Sequence, residues 1–145
     1  MSLKNKFKTD SAAVAEGVWV EFEANEDGTI PGFKLGFASK QNKEYTKAMR
    51  KLSANYTDEM GVVSFDSLPE EQAEKLVLEV FADTILKDWR NIQPEDNGVE
   101  LPFTRENAIA LLGSPDWQAL YDVLTAKSKK ITNFQQRSLV AQAKN

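Results

Sequence analysis

The run from Leu76 to Ile92 constrains this chain more than any other part of it. Leu76, Val77, Leu78, Val80, Phe81, Ala82, Ile85, Leu86, Trp89 and Ile92 are apolar, and wound as a helix they cover most of its circumference. A helix that is greasy on nearly every side has to be enclosed. The spacing therefore predicts a central buried helix over 68–92, with the rest of the chain organised around it. Ser67-Leu68-Pro69-Glu70 announces its start, because Ser caps free amides, Glu three residues on reaches back, and Pro is tolerated in a first turn.

What packs on that helix is legible from two other periods. Val18, Val20 and Phe22 alternate with Trp19, Glu21 and Glu23, and Phe33, Leu35 and Phe37 alternate with Lys34 and Gly36, the period of a half-buried strand. Asn25-Glu26-Asp27-Gly28 supplies the reversal between them, with Pro31-Gly32 marking a bulge or a strand entry. Tyr45, Ala48, Met49, Leu52 and Tyr56 form one helical stripe within 39–56, with Lys43, Lys47, Arg50 and Lys51 off it. Val62-Val63-Ser64-Phe65 is a candidate edge strand. Thr104 and Ser114-Pro115-Asp116 are helix starts, and Gly113 is a stop. Residues 1–16 are expected to form a loose arm or short helix, and 131–145 a sparsely apolar helix that either packs on the body or projects from it.

The expected fold class is thus α+β: an N-terminal β-hairpin packed with a bundle of about four to five helices around the 68–92 helix, in one domain over 17–145. A chain of 145 residues buries about two-thirds of its unfolded surface, enough for a core without staples.

Composition removes whole classes of chemistry. There is no Cys and no His, so disulfides, thiolate nucleophiles, imidazole bases and Ser-His-Asp machinery are excluded. The seven Gly are scattered and build no phosphate loop. The 23–34 loop places Glu23, Asn25, Asp27 and Gly28 as a calcium loop would, but Lys34 stands where a closing Glu is needed. No cofactor or metal is expected. Acid–base work would fall to carboxylates alone, with Asp83, Asp88, Glu95 and Asp96 as candidates, and their spacing does not favour it. The chain is expected not to be an enzyme. The apolar runs fall short of a membrane span and the start has no signal-peptide core, so a cytoplasmic protein is expected.

Charge is segregated. Residues 1–57 carry 9 Lys+Arg and 7 Asp+Glu, residues 58–116 carry 4 and 14, and residues 117–145 carry 5 and 1. A net charge of −4 argues against a nucleic-acid binder. An acidic centre flanked by basic ends would let one copy attract the next through a contact that propagates.

The order of segments goes further. Gly17-Val18-Trp19-Val20, the Tyr45…Met49…Leu52 helix, Ala82-Asp83-Thr84-Ile85-Leu86-Lys87-Asp88-Trp89-Arg90-Asn91-Ile92, Asn97-Gly98-Val99-Glu100-Leu101-Pro102-Phe103-Thr104-Arg105-Glu106-Asn107-Ala108, Leu111-Leu112 and Pro115-Asp116 follow one another. In this order, over about Gly17 to Phe134, the chain resembles the tail assembly chaperones of long-tailed bacteriophages. It looks like the short, non-frameshifted form.

The resemblance implies a non-catalytic morphogenesis factor in the bacterial host cytoplasm, absent from the mature virion. Its implied partners are the tape measure protein, tail tube subunits and further copies of itself in curved or spiral oligomers. The alternative is a structural or adaptor protein of the virion, and a third choice is a carboxylate-only hydrolase. The candidate partner surface is Ile131, Phe134, Leu139 and Val140 with Lys129, Lys130 and Arg137 beside them; the bland reading is that this segment covers its own core. On the surface reading, Asp at Phe134 and Leu139 is expected to spare the fold.

Overall fold

The computed structural model describes residues 2–54, 56–58, 61–63 and 65–135. The fold is α+β. Two short helices, α1 (Leu3–Phe7) and α2 (Ser11–Glu16), precede strands β1 (Val18–Glu21) and β2 (Gly32–Leu35). Helix α3 (Lys43–Ser53) and a small hairpin, β3 (Tyr56–Asp58) and β4 (Gly61–Val63), lead to α4 (Glu70–Thr84) and β5 (Leu86–Arg90). The described part closes with α5 (Arg105–Leu112), α6 (Gln118–Lys129) and a tight turn at Ile131–Phe134.

The alternation at 18–22 and 33–37 produces the expected antiparallel pair, Val18 opposite Leu35 and Val20 opposite Phe33. Gly28 turns the loop with a φ of 87°, and Gly32 enters β2 rather than forming a bulge. The Val62-Val63 patch pairs with β3 in a separate two-stranded sheet, so it is not an edge of the main one.

The helix expected over 68–92 is the main correction. It begins at Glu70 with Pro69 at its cap and ends at Thr84; Leu86–Arg90 is instead the third strand, in the order β1-β2-β5. β2 would otherwise leave one row of amides and carbonyls unpaired, and residues 86–90 satisfy it. A bulge explains why the sequence misleads. Phe33 lies opposite Trp89, Lys34 opposite Asp88 and Leu35 opposite Leu86, so Lys87 is an extra residue in β5. The inserted residue resets the alternation and turns Leu86 and Trp89, three apart, to one face. That spacing is helical in a sequence read without its partner strand.

One face of the sheet, Phe33, Leu35, Leu86 and Trp89, packs with Leu78, Phe81 and Ala82 of α4, Ala108, Leu111 and Leu112 of α5, and Leu124 of α6. On the other face the Arg90 guanidinium sits 4.2 Å over the Trp19 ring and donates to Glu21 at 3.1 Å.

A second cluster joins the two ends of the described chain. Ala13, Val14, Val18, Phe37 and Phe134 bury one another, and the Phe37 and Phe134 rings stack at 4.7 Å and 17°. Residues 1–16, expected as a loose arm or short helix, thus contribute α2 to the interior, held by the Asp10 amide donating to the Phe134 carbonyl at 2.8 Å. Their small side chains carry little apolar periodicity, which hid this packing.

Candidate functional site

Three helices leave an open apolar groove. α4 turns Val77 and Leu78 toward it, α5 supplies Ile109 and Leu112, and Tyr121 comes from α6. Its volume is about 550 Å³, and Glu70, Glu74, Lys75 and Gln118 rim it. The α5 wall is set locally. The Thr104 hydroxyl accepts from the Asn107 amide at 3.0 Å and starts the helix, and the Gly113 amide closes onto Ile109 at 2.9 Å and ends it. Arg105 fastens α5 to α4 through Asp83 at 2.6 Å, and that carboxylate raises the guanidinium's affinity for its proton. The Tyr121 ring meets Phe81 edge-on at 5.3 Å. Burial pushes its hydroxyl pKa up, with Tyr45, Asp122 and Glu74 adding to the effect.

Two of the segments that carry the family resemblance, 82–92 and 97–108, pack together around Trp89. Trp89 Nε1 donates to the Leu101 carbonyl at 2.7 Å, and its ring meets Phe33 and Phe103 edge-on at 6.0 and 5.1 Å. The Asn107 side chain donates to the Pro102 carbonyl at 2.9 Å. These residues build the scaffold that positions α5.

The four carboxylates weighed for acid–base work are dispersed. Asp83 is in the Arg105 pair, and Asp88 lies on β5 and accepts from the Trp89 amide at 2.8 Å. Glu95 and Asp96 line a polar cleft of about 490 Å³ with Glu26 and Asp27. Asp27 accepts from the Thr29 hydroxyl at 2.6 Å, the Thr29 amide at 3.0 Å and Gln93 at 2.9 Å. These bonds hold its pKa below the ordinary 3.8, the Thr29 hydroxyl most of all. Asp27 is thus a loop fastener, tying the hairpin turn to Gln93. Among the described residues no group of three or more acids could hold a metal ion.

A lowered carboxyl pKa stabilises the fold above the unfolded value and is lost as pH falls through the folded one. Acid titration should therefore erode wild-type stability below about pH 4, and Asp27→Asn should make that slope shallower. Urea melts at several pH values would check it; an unchanged slope would mean that Asp27 carries none of the acid sensitivity.

The partner surface expected at the C-terminal end is divided by the structure. Lys129 and Lys130 are exposed and Ile131 is half-buried. Phe134 is 0% exposed and belongs to the interior, so the expectation that Asp there would spare the fold is corrected: its ring is the centre of the second cluster. Of the helix expected over 131–145, Ile131–Phe134 is a tight turn and Gln135 is extended. Arg137, Leu139 and Val140 lie outside the described residues. The groove has no signal in the sequence because its walls come from three helices whose mutual placement no local period reports.

Among the described residues no helix is long and apolar enough to cross a membrane. Comparison with family models places the chain among phage-derived proteins. It belongs to the YdaY prophage protein family, whose model matches residues 40–145 and so takes in α3 to α6 and every wall of the groove. No curated protein and no solved structure matches the chain.

Proposed function

We propose that the chain is a non-catalytic chaperone of phage tail assembly. It binds the tape measure protein, keeps it soluble and helps recruit tail tube subunits in the host cytoplasm, leaving before the virion matures. The supporting observation is membership of a prophage family, and the open, acid-rimmed apolar groove supports the self-association part of the reading. The ordered segments from Gly17 to Phe134 support the tail-assembly part by resemblance.

The mechanism is mass action. A long helical partner exposes apolar stripes that aggregate when bare, and many weakly held copies cover them at a gain summed over contacts. Weak individual contacts let tube subunits displace the coat. Copies also associate with one another, acidic centre against basic end, and the chain does this work without altering covalent bonds.

The C-terminal surface is tested with residues other than Phe134. Changing Leu139 and Val140 to Asp should abolish copurification with the tape measure protein, read on variant protein whose thermal melt is checked against wild type. Unchanged copurification removes the C-terminal assignment. Finding the protein in purified mature particles would instead favour the structural or adaptor role.

A further inference from the structure

Helix α1 presents two bare apolar side chains. Leu3 is 71% and Phe7 61% exposed, and residues four apart share one helical face. Lys4, Lys6 and Lys8 surround them, all exposed. The Ser2 hydroxyl accepts from the Asn5 amide at 3.2 Å and caps the helix. α1 is a small basic amphipathic element whose greasy face is left open among the described residues.

The groove between α4, α5 and α6 is its complement. Val77, Ile109, Leu112 and Tyr121 offer an apolar floor, and Glu70 and Glu74 stand exposed at its edge, with Lys75 the cation lining it. Two anchors spaced along a helix, flanked by cations, fit an apolar trough flanked by carboxylates.

The fold keeps these two features apart within one molecule. The Gln135 side chain donates to the Lys6 carbonyl at 2.6 Å and the Asp10 amide to the Phe134 carbonyl at 2.8 Å. α1 is thereby tethered beyond the last turn of α6, whereas the groove takes Gln118 and Tyr121 from its first turn. The 12 residues of α6 span about 18 Å.

We propose that α1 of one copy docks, through Leu3 and Phe7, into the α4–α5–α6 groove of a second copy. Donor and acceptor are different surfaces at opposite ends of α6, so the contact is heterologous. Each added copy brings a fresh groove and a fresh α1, and the assembly grows in one direction as a ring or helix rather than closing as a two-fold dimer. The inference rests on the self-association part of the proposed function and not on tape measure binding.

Sedimentation velocity on the full chain over a wide concentration range tests it. Wild type should form a concentration-dependent series. Leu3→Ser with Phe7→Ser changes only exposed side chains, so folding should be kept while association weakens at least about tenfold. Ala73→Trp, which fills the groove, and the rim variant Glu70→Lys with Glu74→Lys should do the same from the acceptor side.

Mixing the α1 variant with Ala73→Trp leaves one usable donor and one usable acceptor. The mixture should give a dimer that grows no further. If the wild type assembles but the α1 variant assembles equally well, or the mixture stays monomeric, the inference fails and self-association stands on another surface. If both groove variants assemble as wild type, the groove serves a different occupant, a foreign helix or the chain's own residues 136–145, and the inference again fails. A wild type that is monomeric throughout overturns both.

Discussion

Phe134→Asp is expected to leave no cooperative unfolding transition. The side chain is fully enclosed, stacked on Phe37 and surrounded by Ala13, Val14 and Val18. Truncation to Ala should cost about 3–5 kcal/mol, the transfer of an aromatic ring plus the hole it leaves. Asp adds an unpaired carboxylate in an apolar surround. That total reaches the whole stability of an ordinary domain, which is only about 5–15 kcal/mol. Urea and thermal melts of Phe134→Ala and Phe134→Asp, with Phe134→Leu as a control that keeps most of the volume, would check the ranking. A Phe134→Ala melt within about 1 kcal/mol of wild type would show that the ring is not a core residue. Amide exchange should also locate the damage. The Asp10 amide and α2, which lean on the Phe134 turn, should lose protection first.

Trp89 should be the second residue the fold cannot spare. It contributes buried area between Phe33 and Phe103, and its indole N–H satisfies the Leu101 carbonyl. Trp89→Ala should cost about 3–5 kcal/mol. Trp89→Phe separates the two contributions, because it keeps an aromatic ring and removes the donor; the orphaned carbonyl should cost about 1–3 kcal/mol. Equal stability of wild type and Trp89→Phe would mean that the hydrogen bond contributes nothing. The consequence reaches the groove. Leu101 to Phe103 lead directly into the Thr104 cap of α5, so loosening Trp89 should also loosen the wall that carries Ile109 and Leu112.

Elements with local causes were legible in the residues. The alternation over Val18–Glu21 and Phe33–Leu35, the Asp27-Gly28 reversal and the Thr104 cap each depend on neighbours within a few positions, and each lies within the stretch that the pattern marks, although the strands stop short of Phe22 and Phe37. Asn42 caps α3 through the Tyr45 amide at 3.2 Å, inside the stretch that the Tyr45 stripe marked out. The candidate site was much less legible. Phe134 and Leu139 look alike in a sparsely apolar segment, and nothing in their spacing says that Phe37 waits for Phe134. Leu3 and Phe7 lie in a stretch with little periodicity, where two apolar side chains carry no signal until their exposure is known.

The amino-acid order alone determined the α+β class, the N-terminal hairpin, the starts and stops of several helices and a chemistry without thiol or imidazole. Backbone dihedral preference, capping and side-chain period act over a few residues, and they are written locally. Only the tertiary structure decided that 86–90 is a strand, that Phe134 is interior and that three helices leave a trough between them. Those outcomes depend on partners far away in the chain: β2 supplies hydrogen bonds that a helix would have made with itself, and a bulge at Lys87 turns Leu86 and Trp89 to one face.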